Sequence, residues 1–303
     1  MRRFTEEWPP EAPRGTLCGR SRTDAAGFTL VELLVVIAII GIIVAIVVPV
    51  AMGARRTTLR MREVAALRTV LTAWTSYATE QKGWLLPGYR TGFPPRLPNG
   101  EFISPTVYGG DVEVGRRYPW RLAPYLSDDF RSLYTNENEA TLQRLANDDP
   151  QQYYYFASLY PSFGMNSAWV GGDEARFPCD STLPNGATNP LAGQCMLRLS
   201  QPKHPERLMV FASARTGATV DGTLNEGYFR VDSPLLIGPT QRWTAEYDPA
   251  VATSYGGVSA RHGDEVVVGT VDGGVDLVQV DALRDMRRWA DGATGPDWYY
   301  GAP

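Results

Sequence analysis

The stretch from Leu33 to Ala54 is 22 residues long and carries no charged side chain. As a helix rising 1.5 Å per residue it would span about 33 Å, enough to cross the hydrocarbon core of a bilayer. It is the one long apolar run in the sequence, so whatever folds around it must leave this segment to lipid or to other apolar helices. Glu32 stands at its edge. An unpaired carboxylate in lipid costs several kcal/mol, and an opposite charge offsets part of that.

The residues before the run read differently. Met1 to Gly27 hold five Arg, four acidic residues and three Pro, with no periodicity, which suggests a polar leader rather than a folded element. A secretory signal would have a shorter apolar core with its cleavage site behind it. Here the small residue that suits cleavage, Gly27, lies ahead of the run, so a leader could be removed while the helix stays. Charge counting does not orient the span, because Arg55, Arg56, Arg60, Arg62 and Arg68 follow it and nearly balance the leader.

The segment Gly27-Phe28-Thr29-Leu30-Val31-Glu32, followed by the apolar run through Pro49, resembles the N-terminus of type IV pilins and type II secretion pseudopilins. The resemblance implies that a prepilin peptidase and N-methyltransferase cuts after Gly27 and methylates the Phe28 amine. It implies a cytoplasmic leader, a single pass through the bacterial inner membrane, and an extracytoplasmic domain. The partners would be the lipid bilayer, other pilin or pseudopilin subunits and the inner-membrane assembly platform. Glu32 would meet the N-terminal amine of a neighbouring subunit and set the register between packed helices. Ala38, Gly41 and Ala45 are small enough to allow close helix approach.

Helical character continues beyond the span. Met61, Val64, Leu67, Leu71, Trp74 and Ala78 fall three or four residues apart and mark one apolar stripe, with Arg and Glu on the other faces. Gly83 and Pro87 supply stop signals. A helix over 28–82 would be about 80 Å long. The expected divisions are a leader over 1–27, a transmembrane or assembly half over 28–54, an amphipathic half over 55–82 and a globular domain over 83–303. Pro49 predicts a kink or a loosened turn.

The globular part is rich in Pro and Gly, with short periodic segments. Asp128–Ala146 predicts one or two short helices, ended by Asn147-Asp148-Asp149-Pro150. The aromatic cluster Tyr153, Tyr154, Tyr155, Phe156 and Tyr160 predicts a half-buried strand or packing surface. Arg207–Ala212 reads as a buried strand and Tyr228–Val231 as a short one. Glu265–Val271 and Val275–Val280 flank Asp272-Gly273-Gly274, a hairpin signal. Asp281–Ala290 predicts a closing helix. The sum is an α+β class: an antiparallel sheet packed on the long helix, in the manner of a pilin.

Cys18 precedes the run, while Cys179 and Cys195 follow it. If the leader is lost an even pair remains, which suits one disulfide in an oxidising compartment. It would close a loop of roughly 15 residues and contribute about 3 kcal/mol. The alternative is two free buried thiols.

His262, nine intervening residues and then Asp272-Gly273 form an H-x9-D-G ending similar to that of a subgroup of large bacterial pilin-like proteins. Trp120 with Pro124-Tyr125-Leu126, the segment Phe163-Gly164-Met165-Asn166 and the strand after Arg207 resemble that subgroup too. Where such proteins have an aromatic residue in the strand and a histidine after Asp-Gly, this sequence has Gly269 and Gly274. His262 and Asp272 do not form a catalytic pair by spacing, since ten extended residues cover about 33 Å. Asp272 is expected to shape the turn and His262 to make a structural hydrogen bond.

The remaining chemistry is sparse. Asp264, Glu265, Asp272 and Asp276 offer weak calcium candidates, of which Asp272 and Asp276 are the better placed, yet the spacing is not that of an EF-hand. Two histidines, His204 and His262, are too few for a His-rich zinc site. With no nucleophile–base, Walker or dinucleotide pattern, no enzyme and no cofactor are expected. A net charge of −4 gives no support to nucleic-acid binding. Two readings stay open: a structural pilin-like subunit, or an extracytoplasmic domain that binds a glycan or solute and uses the helix only as an anchor.

Overall fold

The computed structural model describes residues 29–91, 114–127, 130–174, 179, 188, 193–217 and 224–301. The leader with Cys18, and the processing residues Gly27 and Phe28, lie outside them, as does most of the loop ahead of Cys195. The chain divides into two compact units, Met1–Met52 and Gly53–Pro303.

The first unit contains the beginning of α1, which as an element runs Leu30–Glu80 and continues unbroken through Pro49. Every described residue up to Met52 is exposed. Apolar side chains such as Ile37, Ile40 and Val44 are each at least half exposed in the chain alone. This is the one helix among the described residues that is long and apolar enough to cross a membrane.

The second unit is α+β. It holds the rest of α1, whose buried side chains are Glu63, Val64, Leu67, Val70, Leu71, Ala73, Trp74, Tyr77 and Ala78. The expected stripe is there, with two corrections. Met61 is exposed, and an acidic residue, Glu63, takes a buried place. The helix ends where Gly83, at φ 85°, lets its N–H donate back to the Ala78 carbonyl at 2.7 Å.

Among the described residues three shorter α-helices follow: α2 (Tyr118–Leu122), α3 (Asn138–Asp148) and α4 (Pro150–Leu159). Of the two expectations for the tyrosine cluster, a half-buried strand or a packing surface, the last helix rules out the strand and keeps the packing. Pro150 supplies a first-turn position that lacks an N–H, and the Gln152 N–H donates to Asp149 Oδ1 at 3.1 Å, so Asp149-Pro150 starts a helix as well as ending one. Tyr153 to Phe156 are half-buried, and Tyr154 sits edge-on to Trp120 at 5.4 Å.

The sheet has four antiparallel strands in chain order: β1 (Phe163–Met165), β2 (Met209–Ser213), β3 (Glu265–Thr270) and β4 (Val275–Gln279). β2 lies inside the sheet and is buried along its whole length. β4 is an edge strand, mostly part-exposed. Tyr228–Val231 is not a strand; Arg230 makes only an isolated bridge to Met165. In place of one closing helix there are two short 3-10 turns, Val280–Arg284 and Met286–Arg288. The core joins the α1 stripe to the sheet and to large buried rings including Trp74, Trp169 and Trp289.

Candidate functional site

At the head of α1, Thr29 and Glu32 close on each other. The Thr29 N–H and Oγ1 both donate to Glu32 Oε2 at 2.8 Å, and the Glu32 N–H donates to Thr29 Oγ1 at 3.2 Å. This is a reciprocal capping box, in which a Thr and an acid three residues later satisfy the free amides of a helix start. The Thr29-x-x-Glu32 spacing carries that signal, and it adds a local role for Glu32 to the one the resemblance implies. Beyond the box the helix offers lipid or a partner helix only apolar and small side chains, down to Gly53.

A second carboxylate on the same helix has the opposite setting. Glu63 is 2% exposed. Ser213 Oγ, on β2, donates to its Oε1 at 2.6 Å, and His262 Nε2 lies 2.5 Å from its Oε2. Arg261 Nε stands 3.8 Å from Glu63 and 3.6 Å from Glu226, while its Nη2 donates to the carbonyls of Ser162 and Ala214. Burial pushes the Glu63 carboxyl up, but the Arg261 charge and the hydrogen bonds of His262 and Ser213 outweigh it and hold the group below its usual value. On the helix flanks Arg60 pairs with Glu265 at 2.7 Å, and Arg62 with Glu139.

His262 therefore meets Glu63 and not Asp272. It sits in a turn completed by Gly263 at φ 71° and Asp264 at φ 65°, just before β3. Asp272 lies at the far end of that strand. Its Oδ1 accepts from Thr270 Oγ1 at 2.6 Å and from the Gly274 N–H at 3.0 Å, and these bonds lower its pKa. Gly273 takes φ 89° to complete the reversal. Asp276 is exposed on β4. Among the described residues no group of three or more His, Cys, Asp or Glu comes together in a way that could hold a metal ion. Cys179 and Cys195 are joined in a disulfide, with Cα atoms 5.7 Å apart.

Glu63 is the residue the sequence pattern missed, because its partners lie 150 and 199 positions away. An acid on the apolar side of an amphipathic stripe was the available signal.

No curated protein and no solved structure matches the chain. Residues 22–48 match the family described as the prokaryotic N-terminal methylation motif. That stretch covers Gly27, Phe28, Glu32 and most of the apolar run. Such a motif implies processing by a prepilin peptidase and assembly with other pilin subunits, and with the apolar helix it fits a single-pass inner-membrane protein. Over this N-terminal segment, then, the chain is similar to prepilin-type pilins and pseudopilins.

Proposed function

We propose that the protein is a structural subunit, cut after Gly27, N-methylated on Phe28, and assembled through α1 into a type IV pilus or a type II secretion pseudopilus. The observation that carries this reading is the methylation motif at 22–48, which runs into a helix whose apolar side chains through Met52 are exposed among the described residues. Those side chains need lipid before assembly and neighbouring helices after it. In this reading the leader is cytoplasmic and the domain extracytoplasmic, where Cys179 and Cys195 oxidise. Glu32 answers the amine of the next subunit, and the chain performs no catalysis and needs no cofactor of its own.

N-terminal mass spectrometry of the membrane-purified protein tests the reading. A mature chain that starts at N-methylated Phe28 is expected. A chain that keeps Met1, or one cut beyond Ala51, would sink it. Replacement of Glu32 should abolish assembly while leaving stable protein in the membrane; assembly that survives it, alongside binding of a glycan or solute, would favour the anchor reading.

A further inference from the structure

The buried stripe of α1 is apolar or aromatic except at Glu63. Positions 63, 67 and 71 are successive turns of one face. The lower two rest on a notch: at Gly269 of β3 an added Cβ would come 2.8 Å from Leu71 Cδ1 and 3.3 Å from Leu67 Cδ2. The upper one, Glu63, enters a slot made by Ser213, Arg261 and His262.

Consider α1 displaced along its axis by one turn, about 5.4 Å. In one direction Leu67 reaches the slot and in the other Leu59 does. Either leucine takes from Ser213 and His262 their carboxylate partner, leaves Arg261 with Glu226 alone, and carries Glu63 onto an apolar surface or out to solvent. A buried charge without a partner is among the costlier faults a fold can carry. The polar contacts therefore discriminate between registers, as a single buried asparagine does in a coiled coil.

We propose that Glu63 and His262 are positioning residues: together they form a register key that fixes the one place at which the globular domain grips the amphipathic half of α1. Arg60–Glu265 and Arg62–Glu139 clasp the helix at the same level. The inference rests on the assembly reading in one respect. If α1 is the element through which subunits pack, the key also sets which part of that helix the domain leaves open to them.

The test reads register directly. In the full chain in detergent micelles, with Cys18→Ser, spin labels go on Ser76→Cys and Asp276→Cys, both exposed positions, on α1 and β4. Pulsed electron resonance then reports the helix-to-sheet distance. The otherwise unaltered chain should give one narrow distance, and Glu63→Gln, which keeps the hydrogen-bonding shape, should too. Glu63→Leu with His262→Leu should fold, yet add a second population or broaden the first. Moving the key decides the matter even if that pair fails to fold: Glu63→Leu with Leu59→Glu should shift the distance by an amount that reflects one turn, about 5 Å along the axis. An unchanged distance in the relocated variant, or its failure to fold, overturns the proposal, as does a single native distance in the double-leucine variant. The mature N-terminus, measured on the same samples, should start at Phe28 throughout. A wrong start there counts against the assembly reading and not against the key.

Discussion

One helix carries both Glu32 and Glu63, and the two stretches that hold them solve the same problem differently. Over Leu30–Met52 every side chain is exposed in the single chain, and Glu32 is satisfied by its own helix start through Thr29. Over Gly53–Glu80 one stripe is buried, and Glu63 is satisfied by side chains from β2 and from the turn before β3. A local partner three residues away leaves a carboxylate available to something else, because the capping bonds can be exchanged at small cost. Partners 150 and 199 residues away commit it, because breaking them leaves a buried charge. The first arrangement suits a residue that must wait for another chain, the second a residue that must hold its own.

The largest expected effect follows from that commitment. Glu63→Ala should destabilise the domain by about 3–5 kcal/mol, the usual cost of stripping one partner from a buried pair. Alanine is the better helix former, so any loss is tertiary in origin. Denaturant unfolding of the full chain in detergent measures it. Glu32→Ala, in the same experiment, should leave the unfolding of the domain unchanged. Equal losses from the two would erase the distinction drawn here.

Acid should break the same contact more gently, since a protonated Glu63 keeps its shape. Its folded pKa lies below the ordinary carboxylate value. The stability it contributes is therefore present above that ordinary value and is lost as pH falls through the lower folded one. The stability of the domain should decline over that acidic window, and Glu63→Gln should flatten the decline. An identical pH profile in the glutamine variant would remove Glu63 from the account.

Gly269 comes next. Gly269→Leu overfills the notch against Leu67 and Leu71, and should cost about 1–3 kcal/mol. Pairing it with Leu71→Ala should return part of the loss. The space that a side chain on β3 would need at this position is occupied by two leucines from α1. The absence of a side chain on β3 is thus matched by its presence on the helix, a trade visible only once both elements are in place.

The periodic features were legible because they depend on near neighbours. Val64, Leu67, Leu71, Trp74 and Ala78 repeat at helical spacing and are buried, and Asp272-Gly273-Gly274 turns the chain between β3 and β4. The failures came where a local preference met a distant contact or a second local signal. The tyrosine cluster suggested either a strand or a packing surface; Asp149-Pro150 starts a helix there, which excludes the strand, and the rings pack from that helix. Glu63 looked like a solvent-facing charge because polarity is a good guide to exposure until Ser213, Arg261 and His262 converge on it. His262 could be read as a residue that bonds something near a strand start. No spacing rule could name a helix residue 199 positions earlier.

The smallest effect is the one that separates capping from assembly at Glu32. Thr29→Ala removes the hydroxyl that gives and receives in the box, and should loosen the first turn of α1 by about 1 kcal/mol. Faster amide exchange at Leu30 to Glu32 in micelles is the expected sign. Glu32→Ala removes the box as well, and with it the charge. If the box were the reason for the carboxylate, the two variants would lose assembly alike. If the charge answers an amine on the next subunit, Thr29→Ala should still assemble, since its carboxylate is intact and less engaged, whereas Glu32→Ala should not. The hydroxyl bonds of Thr29 make this comparison possible, because they let the local role be weakened while the acid stays in place. The backbone N–H of residue 29 survives in Thr29→Ala, so the remaining capping bond holds the carboxylate near the helix start, where a neighbouring amine would have to find it.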